Sequence, residues 1–291
     1  MRKEDQITIM VTCAAIVSAG IVGWYYVTDF FSVEHEVSCA VSANRVSQMS
    51  ITHADGRPMS PIELHTHLGT GAYGIVKNAR VVSVKSKSTN AAIEVTLPKG
   101  STSPRHSPSS QGGIEFEWAP RLLGDSNSAC LRYAIKIPED FVPGAGGTLP
   151  GLFGGPPLND DVTSDGKNGF AIRTLWDRKG KLSLHAQVPV TKKSNPAILA
   201  RRKFDLPRGR WVWIDQELVL NDPDKSDGRF RLWIDGKLKY DNQDVAWRLD
   251  PNLVLTGASG AVHYGTPIRR ATAPETIVIK MTPFELSGTP Q

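Results

Sequence analysis

Trp211-Val-Trp213, Glu217-Leu-Val-Leu-Asn221 and Asp227-Gly-Arg-Phe-Arg-Leu-Trp-Ile-Asp235-Gly236 are the most legible stretch of the chain. Apolar and polar residues alternate there with a period of two, the repeat that sends successive side chains to opposite faces of a β-strand. The stretch closes on Asp-Gly, a pair that accepts the positive φ of a tight hairpin turn. It therefore reads as a hairpin in a sheet with one buried face. Outward from it, similar short runs recur at residues 79–86, 91–97, 113–118, 129–137, 169–176, 182–190, 253–256 and 276–286, each bounded by turn residues. Strands of this length and spacing, with no amphipathic helix between them, predict an all-β fold, a β-sandwich or jelly roll.

The 291 residues admit one large β domain or two ordinary ones. The segment Ile7-Thr-Ile-Met-Val-Thr-Cys-Ala-Ala-Ile-Val-Ser-Ala-Gly-Ile-Val-Gly-Trp-Tyr-Tyr-Val-Thr28 carries no charge, and a spanning helix needs about 20 apolar residues. Arg2 and Lys3 precede it, and Trp24, Tyr25 and Tyr26 stand at its far end, the flanks expected of a helix with its N-terminus in the cytoplasm. The expected organisation is a cytoplasmic tip at 1–6, a transmembrane helix at 7–28, a stalk at 29–74 and one domain at 75–291. That places the domain outside the cytoplasm, periplasmic or extracellular. The alternative is secretion after cleavage of a signal peptide, but the apolar run exceeds the usual ~7–15 residues and no A-x-A site follows closely.

Of the three cysteines, Cys13 falls in the apolar run. Cys39 and Cys130 remain, either as one disulfide in an oxidising compartment or as two buried thiols. No Cys/His cluster has zinc-ligand spacing. His65 and His67 in Leu64-His-Thr-His-Leu68 alternate as ligands on a strand would, without a third ligand. The acidic turn Asn221-Asp-Pro-Asp-Lys-Ser-Asp227 offers oxygens for a structural Ca2+, although such turns are more often metal-free. No metal site and no cofactor are expected. The net charge of +5 and pI near 9.1 favour anionic partners. Nucleic acid is not expected among them, because no recognised binding module is present and the domain is read as extracytoplasmic.

Tyr133-Ala-Ile-Lys-Ile-Pro-Glu-Asp-Phe141 and Gly146-Gly-Thr-Leu-Pro-Gly-Leu-Phe-Gly-Gly155 resemble the signature of the family 14 polysaccharide lyases, which include alginate and glucuronate-polymer lyases. Val95-Thr-Leu-Pro-Lys-Gly-Ser101, Arg173-Thr-Leu-Trp176, Gly209-Arg-Trp211 and the closing strand follow in the family's order. The resemblance covers about residues 75 to 287, makes the polar segment 99–113 an internal loop, and implies a concanavalin A-like jelly roll acting on an acidic polysaccharide. It also marks departures. The family's Lys before Leu-Pro-Gly is Thr148 here, a family Ser is Ala171, and a Tyr-x-Tyr pair is His185-Ala-Gln187, while Arg173 is retained.

A lyase removes the proton on C5 of a uronate and expels the oxygen on C4. One group must neutralise the carboxylate, a second must accept the proton, and a third must protonate the leaving oxygen. His185 and Gln187, two apart on an expected strand, share a face, and Arg173 lies on the strand before. Imidazole, with an ordinary pKa near 6.5, is mostly neutral at pH 7 and suits the base role. The set also resembles, in reversed order, the Gln-x-His strand of family 7 alginate lyases. Tyr264 is the expected acid, with Tyr240 a weaker candidate. Thr148, Trp176, Arg201, Arg202, Lys203 and Arg210 are expected to contact substrate, Trp176 either as a stacking platform or as core. Hydrolysis is disfavoured, because Asp160, Asp161 and Asp177 read as loop residues without the carboxylate pairing a glycosidase requires. The alternative function is a membrane-tethered carbohydrate-binding protein that has lost catalysis.

Overall fold

Asp235 and Gly236 both take positive φ, 51° and 72°, and reverse the chain between Gly228–Ile234 and Lys237–Val245, as the Asp-Gly pair predicts. The computed structural model describes residues 37–41, 46–69, 71–84, 90–105, 111–124, 126–156, 164–191 and 202–290. The expected tip, anchor and start of the stalk lie outside the described residues, as do Asp160, Asp161 and Arg201. Among the described residues no helix is long and apolar enough to cross a membrane.

In chain order the elements are β1 (Val46–Gln48), α1 (Pro61–Leu68), α2 (Ile75–Asn78), β2 (Ala79–Ser83), β3 (Ala91–Leu97), β4 (Glu117–Trp118), β5 (Ser126–Lys136), β6 (Gly147–Gly154), β7 (Phe170–Trp176), β8 (Leu182–Gln187), β9 (Trp211–Val219), β10 (Gly228–Ile234), β11 (Lys237–Val245), β12 (Leu255–Ser259), β13 (His263–Tyr264), β14 (Ile277–Met281) and β15 (Glu285–Pro290). They form two antiparallel sheets. The larger runs β11-β10-β9-β5-β14-β3-β2, with β15 pairing β5 and β1. The smaller runs β4-β12-β6-β7-β8, with β13 on β6. Leu131, Tyr133 and Ile135 of β5 and Val212, Ile214 and Leu218 of β9 meet Leu149, Leu152, Ile172 and Leu184 from the smaller sheet in one core. Each fully buried Leu or Ile there contributes about 1.5–3 kcal/mol. The all-β sandwich read from the sequence is the observed architecture.

The glycine-rich segment is β6, a central strand of the smaller sheet. Leu149 pairs with Thr174 and Gly151 with Arg173, so Pro150 is the extra residue of a β-bulge. Proline suits that position because it has no N–H to leave unpaired. The extra residue shifts the alternation, so that Leu149 and Leu152 both face the core. A Cβ on Gly151 would lie 1.9 Å from the Ile172 carbonyl oxygen, and one on Gly147 would lie 2.0 Å from the Trp176 ring.

The stalk expected over 29–74 does not extend that far. From Ser38 the chain belongs to the compact unit, and Met49, Ile51 and Leu64 join the core. Ser60 and Glu63 form a capping box that starts α1. His65 and His67 therefore sit on a helix and not on a strand, about 200° apart around its axis, which prevents them from converging on one ion. The acidic turn after β9 is closed by protein groups. Asn221 donates to the carbonyls of Asp222, Lys225 and Arg248, and the Lys225 ammonium pairs with Asp222 and Asp227.

Cys39 and Cys130 are disulfide-bonded across 91 residues of sequence, which decides between the two readings of that pair. Beside the bond, the Ser38 hydroxyl donates to the buried Asp215 carboxylate. Burial pushes Asp215 above the ordinary carboxylate range, against the pull of Ser38 and Arg132. Replacing both cysteines by serine is expected to cost about 2–4 kcal/mol of unfolding free energy, measured by chemical denaturation. Equal stability of variant and parent would show that the bond contributes nothing to the fold.

Candidate active site

Strand register builds the site. Glu117 of β4 pairs with Ser259 of β12, Ser259 with Gly151 of β6, Gly151 with Arg173 of β7, and Arg173 with His185 of β8. The row lies on the outer face of the smaller sheet, because Ala258, Leu152, Ile172, Leu184 and Ala186, next along the strands, face the core. Gly151 has no side chain and Ser259 a short one, and both are buried, so the lane between Arg173 and Glu117 is floored largely by backbone. Arg173 is only 6% exposed, and its Nη1 donates to Gln187 Oε1 at 3.2 Å. His185 is half-buried beside them. Arg173, His185 and Gln187, expected from the sequence to act together, do share one face.

His185 also opens onto a cavity of about 600 Å³ that it lines with Leu175, Ser183, Lys181, Lys203 and Arg269, and with Asp177, Arg178 and Lys179 of the β7–β8 turn. Among the described residues Asp177 is the one carboxylate that lines this wall, while Asp205 pairs with Lys181 at 3.0 Å; the Asp177 charge is committed. Burial alone would raise its pKa, but the Lys203 ammonium at 2.5 Å and the N–H groups of Lys181 and Lys179 outweigh that and hold it below the ordinary range. The cavity wall is therefore strongly cationic.

At the other end of the row the sign reverses. Arg105 bridges Glu115 at 3.0 Å and Glu117 at 3.5 Å and lies over the Tyr73 ring. Burial pushes the Glu117 carboxyl above its ordinary range, against the pull of Arg105.

Other expected site residues are placed elsewhere. Tyr264 is fully buried and its hydroxyl donates to the Val142 carbonyl; burial pushes that phenol far above its ordinary range, so it is a core residue and not the acid. Tyr240 is likewise packed between Phe204 and Phe230. Trp176 borders the cavity, yet its ring is 1% exposed and packs edge-on to Phe141 and Tyr264, so it is core and not a stacking platform. Thr148 is on the outer face but buried, its hydroxyl donating to the Gly265 carbonyl at 2.8 Å. Arg210 sits just before β9 of the larger sheet and pairs with Asp235, away from the outer face of the smaller sheet. Arg202 stacks at 6.0 Å over Tyr240. Lys203 does reach the cavity. Sequence reading missed Lys181, Ser183, Arg269 and Glu117, of which Arg178-Lys-Gly-Lys181 was visible as a basic turn between two strands.

The fold is thus an all-β sandwich whose smaller sheet carries Arg173, His185 and Gln187 on its outer face beside a cation-lined cavity. Residues 85–276 match the family model for polysaccharide lyase 14, and the chain belongs to that family. Membership makes it a polysaccharide lyase by class, with polysaccharide as its general class of substrate. No curated protein matches it by sequence. Among solved structures, a marine family 14 alginate lyase from Aplysia kurodai is 20% identical with a TM-score of 0.65, over 85% of this chain and 99% of that one. An alginate lyase from a Chlorella virus is 18% identical with a TM-score of 0.61, over 84% and 99%. An endo-β-1,4-glucuronan lyase from the fungus Trichoderma reesei is 11% identical with a TM-score of 0.50, over 85% and 96%. At these identities the likeness concerns the fold.

Charge reversal at the cavity, Arg269→Glu, is expected to weaken calorimetric binding of polyglucuronate roughly fivefold or more at low salt, with the loss shrinking as ionic strength rises. Glu117→Gln is expected to strengthen it. Unchanged affinity in both variants would remove the groove from the binding surface.

Proposed function

We propose that this protein cleaves a uronate-containing polysaccharide by β-elimination at the row of Arg173 and His185. The observation that carries the proposal is the register of β7 and β8, which sets Arg173 directly opposite His185 on the groove face and ties it to Gln187. Arg173 neutralises the uronate carboxylate, so that negative charge can accumulate next to C5. His185 takes the C5 proton. The electron pair of that C–H bond becomes the C4=C5 double bond, the C4–O bond breaks, and the departing oxygen receives a proton. With Tyr264 in the core, the imidazolium just formed returns its proton to that oxygen. Such a shuttle demands that the C5 hydrogen and O4 lie on one side of the sugar ring, as they do in glucuronate and mannuronate and do not in guluronate.

Incubation with polyglucuronate and polymannuronate is expected to raise ultraviolet absorbance in the unsaturated-uronate band, while polyguluronate gives little. In His185→Gln the rise should disappear with binding nearly intact. In the parent, the acid limb of log kcat/KM should climb with unit slope, because only neutral imidazole accepts the proton. A rise that survives His185→Gln would exclude the residue as the base.

A second reading has its own observation. Thr148, at the family's Lys position, is buried and spent on the Gly265 carbonyl, so that position supplies no group to the substrate. If no uronate polymer yields unsaturated ends while polyanions still bind, the protein is a carbohydrate-binding relative that has lost catalysis.

For location, the proposal is a domain outside the cytoplasm, anchored by the apolar segment 7–28 or released from it. The Cys39–Cys130 bond supports this reading, since such bonds persist in oxidising compartments. Fractionation and carbonate extraction of cells expressing the full chain separate an anchored protein from a released one.

A further inference from the structure

Gln216 is a polar residue in an apolar layer. It is 0% exposed, flanked on β9 by Ile214 and Leu218, and paired in register with Leu131 and Leu232 of the neighbouring strands. An amide left unbonded in such a place would cost about 1–3 kcal/mol. Its Nε2 crosses the core and donates twice, to the Pro150 carbonyl at 3.0 Å and to the Thr174 hydroxyl at 3.1 Å, beside the buried Tyr133 hydroxyl. Both acceptors belong to the smaller sheet, and both adjoin the site. Pro150 is the bulged residue of β6 next to Gly151, and Thr174 follows Arg173 on β7.

A β-bulge breaks the ladder and turns a carbonyl away from its strand partner. At Pro150 that carbonyl points into the core and needs a donor there. The bulge is also what puts Gly151, which admits no side chain, opposite Arg173. Were the strand regular, the alternation would carry the Leu149 and Leu152 pair out of phase and close the lane beside the guanidinium.

We propose that Gln216 is a positioning residue: from the opposite sheet it holds the Pro150 bulge and Thr174 in place, and so fixes the strand pair that presents Arg173 to the polymer. This rests on the reading of Arg173 as the group that receives the substrate carboxylate. Gln216 does not itself touch substrate. Its effect reaches the groove through two backbone segments.

The test compares Gln216→Leu, close in volume and lacking the amide, with Leu218→Ala, a core truncation on the same face of β9 that touches neither acceptor. Hydrogen exchange of the β6 and β7 amides, calorimetric affinity for polyglucuronate, and kcat with KM are measured on all proteins. Gln216→Leu is expected to speed exchange at residues 149–151 and 173–174 at least tenfold, to weaken affinity several-fold and to lower kcat. Leu218→Ala should reduce thermal stability and leave all three unchanged. Thr174→Val, which removes one of the two acceptors and folds if Gln216→Leu does not, should give an intermediate effect. Unchanged β6 exchange and affinity in Gln216→Leu, or an equal effect in Leu218→Ala, overturns the proposal. A parent protein that forms no unsaturated ends overturns the lyase reading alone, because exchange and affinity still report on Gln216.

Discussion

The structure turns on how closely β6 and β7 approach each other beside Pro150. The Ile172 carbonyl leaves no room for any Cβ at position 151, so the strand carrying the Leu-Pro-Gly motif presents bare backbone to its neighbour. Everything on the groove face is arranged around that gap. Arg173 is buried on one side of it with Gln187 as its hydrogen-bond partner, Ser259 continues the lane, and His185 stands next along the row. The motif's residue types follow from the same constraint. Proline tolerates the unpaired bulge position, and glycine tolerates the contact that the bulge creates.

The strands around Trp211 were legible because they combine clean alternation with a turn pair of one conformational meaning. β6 was not, because Gly147, Pro150, Gly151 and Gly154 are poor strand formers by propensity and the bulge breaks the period on which a strand is recognised. Likewise the segment from Ser38 to Leu68 read as a spacer because its core residues, Met49, Ile51 and Leu64, are spread too thinly to form a periodic run. Tertiary packing, not local pattern, makes it part of the domain.

The site was legible to the extent that it depends on one strand pair. Period-two geometry places His185 and Gln187 on one face, and adjacency brings Arg173 to them. Tyr264 and Trp176 misled because an aromatic side chain serves a core as readily as a groove, and which it does depends on Phe141 and Pro143, from a separate loop. Lys181, Lys203 and Arg269 converge from three separate segments, a juxtaposition that only the fold creates. The result is a sheet face with opposite electrostatic ends, cationic beside His185 and carboxylate-bearing at Glu115 and Glu117, which no count of net charge could have revealed.

The most direct measurement is a crystal structure of His185→Gln soaked with a glucuronate tetrasaccharide. The account predicts one sugar carboxylate within hydrogen-bonding distance of the Arg173 guanidinium, with C5 of that sugar facing the position 185 side chain and the chain running over Gly151 and Ser259. An oligosaccharide bound elsewhere on the sandwich, or one in the groove with its carboxylates turned away from Arg173, would contradict it.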